Sequence, residues 1–509
     1  MLAEASAVPL DAAPIADPSP DVYTRIGAKP FINCTATLTI NGGSRQLDEV
    51  ISAIEQAGHY HVNIDQLQEA AGKRLSQMLQ VPWALVASGA AGALAYATAG
   101  IVAGTDPERI TQLPDLTGLK DEVIIPKSSR NQYDHAVRMI GLKTIEVDSV
   151  DELKAAIGHN TALVMVLGNR FDNVKLGLAE VAPIAKAAGV PVLVDAAADY
   201  LIVPNPYLAL GADLVAYSGG KITRGPQTAG LLVGREDLVR AAYWNGAPHH
   251  GFCRPMKVSK EEIVGMVAAV DTWIKQRDIE KEYAEWNGWY DHITKAVTAV
   301  PGVTTKVNKP SRGGPFPTLT VAWDPAKIGM TAGELHEILI DGDPSIQTHA
   351  AGEATSFALR PVAMKPGEYK IVADRLAEVF RSAPKPKTKS VKPPAGDISG
   401  RWDVQVDFTR GSAKHVLFLE TAGSKVAGTH AGTVKRGPVK GMIDGDKVEL
   451  ASVLSIEGNK IGYSFAGTLS GDTITGEIDL GEYPTAKFTA KRHGYGGALP
   501  SDPSKSGKV

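Results

Sequence analysis

Between Leu67 and Gly251 short runs of Val, Ile, Leu and Ala ("WALVAS", "EVIIP", "TIEVD", "TALVMVLG", "VPVLVDAA", "ADLVAYS", "AGLLVG") alternate with stretches of helical periodicity. Most of these runs are apolar at every position instead of at every second one. A strand of that kind is buried on both faces, so helices must cover both sides of the sheet. The expected fold class is therefore α/β, with a mainly parallel, doubly wound sheet. In such a sheet ligands bind beyond the carboxyl ends of the strands.

The rest of the 509 residues does not fit one core, and several folding units are expected. Residues 1–30, rich in Ala and Pro, read as a disordered tail and arm, with neither the basic start nor the apolar run of a secretory signal. Residues 31–300 form the large domain. Its last part, from Ser259 to Val300, is a long helical pattern in which Trp273, Trp286 and Trp289 read as core anchors. In 301–382, "TLTVAWD" and "SFALRPVAM" flank the helical "TAGELHEILID", which gives a small α+β domain. Residues 383–397, "APKPKTKSVKPPAGD", form an extended Pro/Lys linker. In 398–493 about eight alternating runs joined by "GDK", "EGNK" and "SGDT" turns give an all-β meander or barrel, and 494–509 is a tail. Because the linker separates the β-domain from everything before it, that domain is expected to be an accessory whose removal leaves turnover intact.

Lys+Arg 53 against Asp+Glu 56 leaves a formal charge of −3, which gives no overall attraction for nucleic acid. No apolar run is long enough to span a bilayer. The two cysteines, Cys34 and Cys253, cannot supply a disulfide framework and read as small buried hydrophobes, consistent with a cytoplasmic, reducing compartment.

The chemistry is concentrated in "YSGGKITRGPQ", Tyr217 to Gln227. A phosphate-binding Walker loop requires Gly-Lys followed at once by Ser or Thr, and Lys221 is followed by Ile222. What remains is an amine at the end of one buried strand, 26 residues after Asp195, which ends another. An acid and an amine at strand ends suit pyridoxal phosphate. The carboxylate keeps the pyridine nitrogen protonated, so the ring accepts electrons, and the lysine holds the cofactor as a Schiff base. Gly219 and Gly220 let the backbone approach the cofactor, Ser218 offers a hydroxyl to its phosphate, and Ser88-Gly89-Ala90-Ala91, at a strand-to-helix junction, supplies backbone N–H groups.

These segments resemble a fold-type I pyridoxal phosphate enzyme of the branch that contains bacterial selenocysteine synthase, the L-seryl-tRNA selenium transferase. The most specific match is "SGGK" followed by "GPQTAGLLVG", and the similarity runs from "FINCTATLT" to "ADRLAEVF". The resemblance implies Lys221 as the imine lysine, Asp195 as the pyridinium partner, and Ser88, Gly89, Ala90, Ala91 and Ser218 around the phosphate. It also implies Asn173 near the 3-oxygen of the cofactor and His135 or Arg130 over its ring. Arg360 falls where related enzymes grip the substrate α-carboxylate. Only about thirty residues precede "FINCTATLT", too few for the tRNA-gripping domain of selenocysteine synthase, and the β-domain has no counterpart there. Both departures point to the tRNA-independent relatives, such as D-glucosaminate-6-phosphate ammonia-lyase.

"NGAPHHGFCRPMK" adds His249, His250, Arg254 and Lys257, a cationic group suited to a substrate or cofactor anion. His61, with His59 and Tyr60, is a candidate proton carrier. No acid or cysteine cluster completes a metal site there, and no metal is expected. The expected activity is α-proton abstraction and β-elimination on a free small amino acid, releasing ammonia and a 2-oxo acid, by a homodimer or larger homo-oligomer without tRNA. Racemisation, aldol cleavage and β-replacement use the same cofactor and stay as alternatives, as does a non-enzymatic role through the β-domain.

Overall fold

The computed structural model describes residues 22–168, 174–310, 314–349, 354–386 and 391–494. The chain forms two compact units. One takes in the chain up to Ser52, the short segment Gly220–Gln227, and Ala268–Pro386; the other holds Ala53–Gly219, Thr228–Val267 and the chain from Lys387 on.

The second unit contains the doubly wound sheet. Its seven strands lie in the order Trp83–Ser88, Ala229–Gly234, Leu214–Ser218, Val192–Asp195, Thr161–Leu167, Glu122–Pro126, Lys143–Val147. All pairs are parallel except those made by Ala229–Gly234, which runs antiparallel to both neighbours. The central strands are buried along their length, as their unbroken apolar sequences require. Helix Gly89–Ala103 packs across the sheet and is itself almost wholly buried; its small residues make that possible. At Gly100 an added Cβ would lie 2.5 Å from the backbone nitrogen of Ala242, so helix Glu236–Trp244 approaches at a distance only glycine permits.

The same unit carries the C-terminal domain, which is a closed barrel and not an open meander. Eight antiparallel strands run in chain order from Gly400–Asp407 to Tyr483–Arg492, and the last pairs with the first. Closure satisfies the backbone groups that edge strands would expose. Alternation fills the interior: Val448, Leu450, Ser452 and Leu454 point inward along Lys447–Ile456, around a core with Trp402, Phe465 and Phe488. Chain that reads as linker is already tied to the barrel, since Lys392 N–H donates to Asp444 Oδ1 (2.6 Å) and Ala395 N–H to the Gly445 carbonyl (2.7 Å).

The first unit has a three-stranded antiparallel sheet with Thr318–Trp323 between Val303–Asn308 and Ser356–Leu359, packed by helices Ile279–Val297, Ala332–Ile340 and Glu368–Ser382. Trp286 and Trp289 are core residues, whereas Trp273 is half-buried with the Arg277 guanidinium over its ring. Both cysteines are fully buried, and burial raises both thiols, Cys253 to about 12, which leaves them inert as nucleophiles. No helix among the described residues is long and apolar enough to cross a membrane.

Candidate active site

Three strand ends define one edge of the large sheet. Val192–Asp195 pairs in parallel with Leu214–Ser218, Asp195 opposite Ala216, so Ser218 stands two residues farther along. On the other side of Ala229–Gly234, Ser88 pairs with Ala229 while Ser218 pairs with Gly230. The register therefore brings Ser88 and Ser218 to the same edge, flanking one strand, with Asp195 on the next strand inward.

At Ser88 the chain turns abruptly. Gly89 has φ +66°, and the helix starts there without a side-chain cap from Ser88, so its first-turn N–H groups remain available to an anion. The turn is pressed against the neighbouring strand: a Cβ on Gly230 would sit 2.6 Å from the Gly89 carbonyl oxygen and 2.7 Å from that of Tyr217. Ala90 is buried and Ala91 exposed. The loop bearing Arg254 and Lys257 lies on the same helix, held by the Tyr96 hydroxyl donating to the Met256 carbonyl (2.9 Å), with the Met256 Cβ 4.0 Å from where Gly92 would carry its own. Arg254 is half-buried and Lys257 exposed. His249 packs against the Trp244 ring, with its Nε2 3.2 Å from Asp65 Oδ1.

Asp195 is only 3% exposed, and its Oδ1 accepts the Ala197 N–H (3.1 Å). Sequence reasoning missed a polar layer beside it. Asp199 is buried and accepts from the Tyr207 hydroxyl, and Asn205 Nδ2 donates to the Tyr217 hydroxyl (2.9 Å). A Cβ on Gly168 would come 2.7 Å from Asp199 Oδ2 and 3.1 Å from the Asp195 carbonyl, so this layer fixes the glycine that ends strand Thr161–Leu167. The signal was in "DAAADY", a second acid four residues after the first, but nothing local says that Asp199 turns inward.

Past Ser218, the Gly219 N–H donates to the Ala229 carbonyl (2.8 Å), and Lys221 opens a turn closed by Arg224 N–H at 3.1 Å. Gly220 and Lys221 belong to the other unit. There the Gly220 carbonyl accepts from Ser44 N–H (3.0 Å), and a Cβ on Gly220 would lie 2.7 Å from the Gln227 Cα. The side of Gly220 that a Cβ would occupy is thus taken by Gln227.

In the same unit Arg360 follows strand Ser356–Leu359, is half-buried, and has Nη1 2.6 Å from His349 Nε2. Burial, and then the charge of Arg360, lower the His349 pKa below its ordinary value, so the neutral ring accepts from the guanidinium and carries its proton on Nδ1. Sequence reasoning missed His349 as well.

His135 is exposed at the start of helix His135–Arg138. Arg130, the alternative to it, is committed to Asp134, Glu146 and Glu457. His61 is exposed between helices Asp48–Gly58 and Ile64–Leu79, and Asn173 lies outside the described residues.

The class-V aminotransferase profile matches residues 41–250. A 5'-C-glycyluridine monooxygenase-decarboxylase of a Streptomyces species is 32% identical over 372 residues, 70% of this chain and 92% of the relative. The chain belongs to the aminotransferase class-V family. As a class-V member it has the fold-type I architecture, and the family implies pyridoxal phosphate. D-Glucosaminate-6-phosphate ammonia lyase of Salmonella typhimurium is 28% identical over 381 residues, 72% of this chain and 99% of the relative. A solved D-glucosaminate-6-phosphate ammonia-lyase superposes with a TM-score of 0.64 at 27% identity, over 72% of this chain and 99% of its own. The L-seryl-tRNA(Sec) selenium transferase of Escherichia fergusonii matches more distantly, 25% over 240 residues and half of its length. The match to the ammonia lyase thus extends along nearly all of its length, and that to the selenium transferase along half.

The residues fit pyridoxal phosphate on three grounds: an uncapped helix start beside two serines, a buried carboxylate at a strand end, and a lysine three residues beyond Ser218.

Proposed function

We propose that this class-V enzyme is a pyridoxal phosphate lyase acting on a free small amino acid with a β-leaving group such as hydroxyl, and that it releases ammonia and a 2-oxo acid. The observation that carries the reading is the convergence of Ser88, Ser218 and Asp195 on one sheet edge, with Lys221 next along the chain. The N–H groups of Gly89–Ala91 and the hydroxyls of Ser88 and Ser218 would hold the phosphate, Asn173 the 3-oxygen, His135 the ring face, and Asp195 the pyridine nitrogen. When bound, the cofactor supplies an electron sink for a carbanion at the α-carbon. Arg360, oriented by His349, binds the α-carboxylate. Arg254 and Lys257 receive a more distal anionic or polar group, and His61 serves as a proton carrier at the entrance. Lys221 Nζ takes the α-proton and later returns a proton to the departing group. Assembly as a homodimer, the usual state for this fold, is part of the reading.

A second reading, oxidative decarboxylation of a glycyl-type amino acid, is favoured by the 32% identity to the monooxygenase-decarboxylase. One experiment tests both. A panel of 3-hydroxy, 3-halo and sugar-derived amino acids is incubated with and without oxygen, and ammonia, 2-oxo acid, enantiomer and carbon dioxide are assayed. Anaerobic release of ammonia with 2-oxo acid supports the lyase, and oxygen-dependent carbon dioxide supports the alternative.

A further inference from the structure

We infer that the barrel is a working part of the active site: its hairpin tip Glu457–Gly458 latches the segment Arg130–Arg138 and so positions His135. The inference rests on the proposed placement of His135 at the cofactor ring.

The tip joins strands Lys447–Ile456 and Asn459–Ser470 in a two-residue turn with φ +48° at Glu457 and +76° at Gly458, the left-handed pair that a tight hairpin demands. Glu457 pays the strain of a non-glycine residue in this region, and its carboxylate meets Arg130 Nη2 at 3.0 Å and Arg138 Nε at 3.9 Å. Both arginines converge on Asp134, Arg130 Nε at 2.6 Å and Arg138 Nε at 3.0 Å, and the Asp134 side chain is wholly buried. The barrel thus supplies one of the three carboxylates that hold Arg130, with Asp134 and Glu146. Gly458 fits more tightly still. A Cβ there would lie 2.6 Å from the Asn131 carbonyl oxygen and 2.8 Å from Asp134 Oδ2, so backbone rests on backbone.

The gripped segment is short and anchored at both ends. Ser129 is buried, and its Oγ accepts the N–H of Leu167 at the end of a sheet strand (3.0 Å). Ala136 and Val137 are buried in the core shared with helix Gly89–Ala103. His135 is the next residue after Asp134, so a shift of Asp134 is passed directly to it. The solved ammonia-lyase is matched over 99% of its length by 72% of this chain, so more than a quarter of this chain has no counterpart there. These contacts, which no linker composition could reveal, set the latch against the expectation of a detachable accessory domain.

The test uses the full-length holoenzyme with Gly458→Val, Glu457→Gln, Glu457→Asp and His135→Asn. Gly458→Val is expected to lower kcat on the order of tenfold or more, because displacements of about an ångström near a reacting group cost that much. Cofactor content should be kept, and the visible circular dichroism of the bound cofactor should change in the same sense as in His135→Asn. Glu457→Asp should recover part of what Glu457→Gln loses. Wild-type kcat and visible dichroism in Gly458→Val would overturn the inference. Hydrogen exchange across residues 130–138 separates the latch from the reading of the site. Wild-type exchange there in Gly458→Val refutes the latch whatever His135 does. Accelerated exchange, with His135→Asn leaving kcat and dichroism unchanged, refutes the positioning of a site residue.

Discussion

A carboxylate as buried as Asp195 keeps its charge only against fixed donors or a cation. The Ala197 N–H is one donor, and a protonated pyridine nitrogen is the cation the fold would bring. Asp195→Asn is therefore expected to fold and to retain the cofactor on Lys221, but to slow α-proton exchange into deuterated water by about 10²-fold or more, followed by NMR. An unchanged exchange rate removes the role. For Lys221, borohydride should bleach the visible band and fix cofactor mass on that residue, and Lys221→Ala should lose the reducible linkage, read by mass spectrometry. Arg360 has a partner in His349. Arg360→Ala should raise KM for the amino acid by about ten- to a hundredfold, since a charge-assisted contact is worth about 1.5–3 kcal/mol, and His349→Phe should raise it less. Equal cofactor affinity in all three proteins is the control. As candidates Asp195 and Lys221 stand out in the sequence because Asp195 ends an apolar run and Lys221 follows one three residues on. His349 was not: its relation to Arg360 is made by folding two segments together.

At the scale of elements, the alternation that predicted the sheet succeeded for a simple reason: burial on both faces leaves strands no polar positions, so their boundaries are sharp in the sequence. The cradle is less legible. Gly230 looks like one more small residue in "AGLLVG", yet it is the residue that lets its strand pass the Gly89 turn, formed 141 residues earlier. Gly230→Ala would drive a Cβ into the Gly89 backbone, which cannot move like a side chain tip. Overpacking of this kind costs about 1–3 kcal/mol, and the displaced atoms are those that would meet the phosphate. The expected outcome is a cofactor Kd raised at least about tenfold with a modest fall in Tm, measured by fluorescence titration and thermal melting. A fall in Tm with unchanged Kd would leave Gly230 a packing residue only. At Gly220 the side a Cβ would occupy is taken by Gln227, a close approach that a glycine pair in sequence does not announce.

For the whole molecule, the barrel was legible from its alternating strands and turns, and the choice between barrel and meander was not, since closure depends on pairing Gly400–Asp407 with Tyr483–Arg492 across the domain. Inside it stands a feature with a pH signature. His415 Nδ1 lies 3.0 Å from His430 Nε2, and His430 Nδ1 lies 3.1 Å from Ser452 Oγ, all three buried among Tyr463 and Phe465. Burial, and then the charge of His415, lower His430 from 6.5 to about 4, and burial lowers His415 as well. The unfolded chain binds these protons near pH 6.5 while the folded barrel refuses them, so between 6.5 and about 4 the unfolded state holds more protons. Stability is fully present above pH 6.5 and drains away as pH falls through that window. The barrel should therefore open before the large sheet on acidification. Hydrogen exchange of the full chain between pH 7 and 4.5, corrected for intrinsic rates, should report loss of protection at strands Ser412–Ala422 and Lys425–Ala431 while Val192–Asp195 stays protected. His430→Gln should flatten that dependence. Because the barrel holds Asp134 and Arg130 through Glu457, kcat should decline over the same pH range, and less steeply in His430→Gln. A pH profile identical in both proteins would separate the histidine pair from activity.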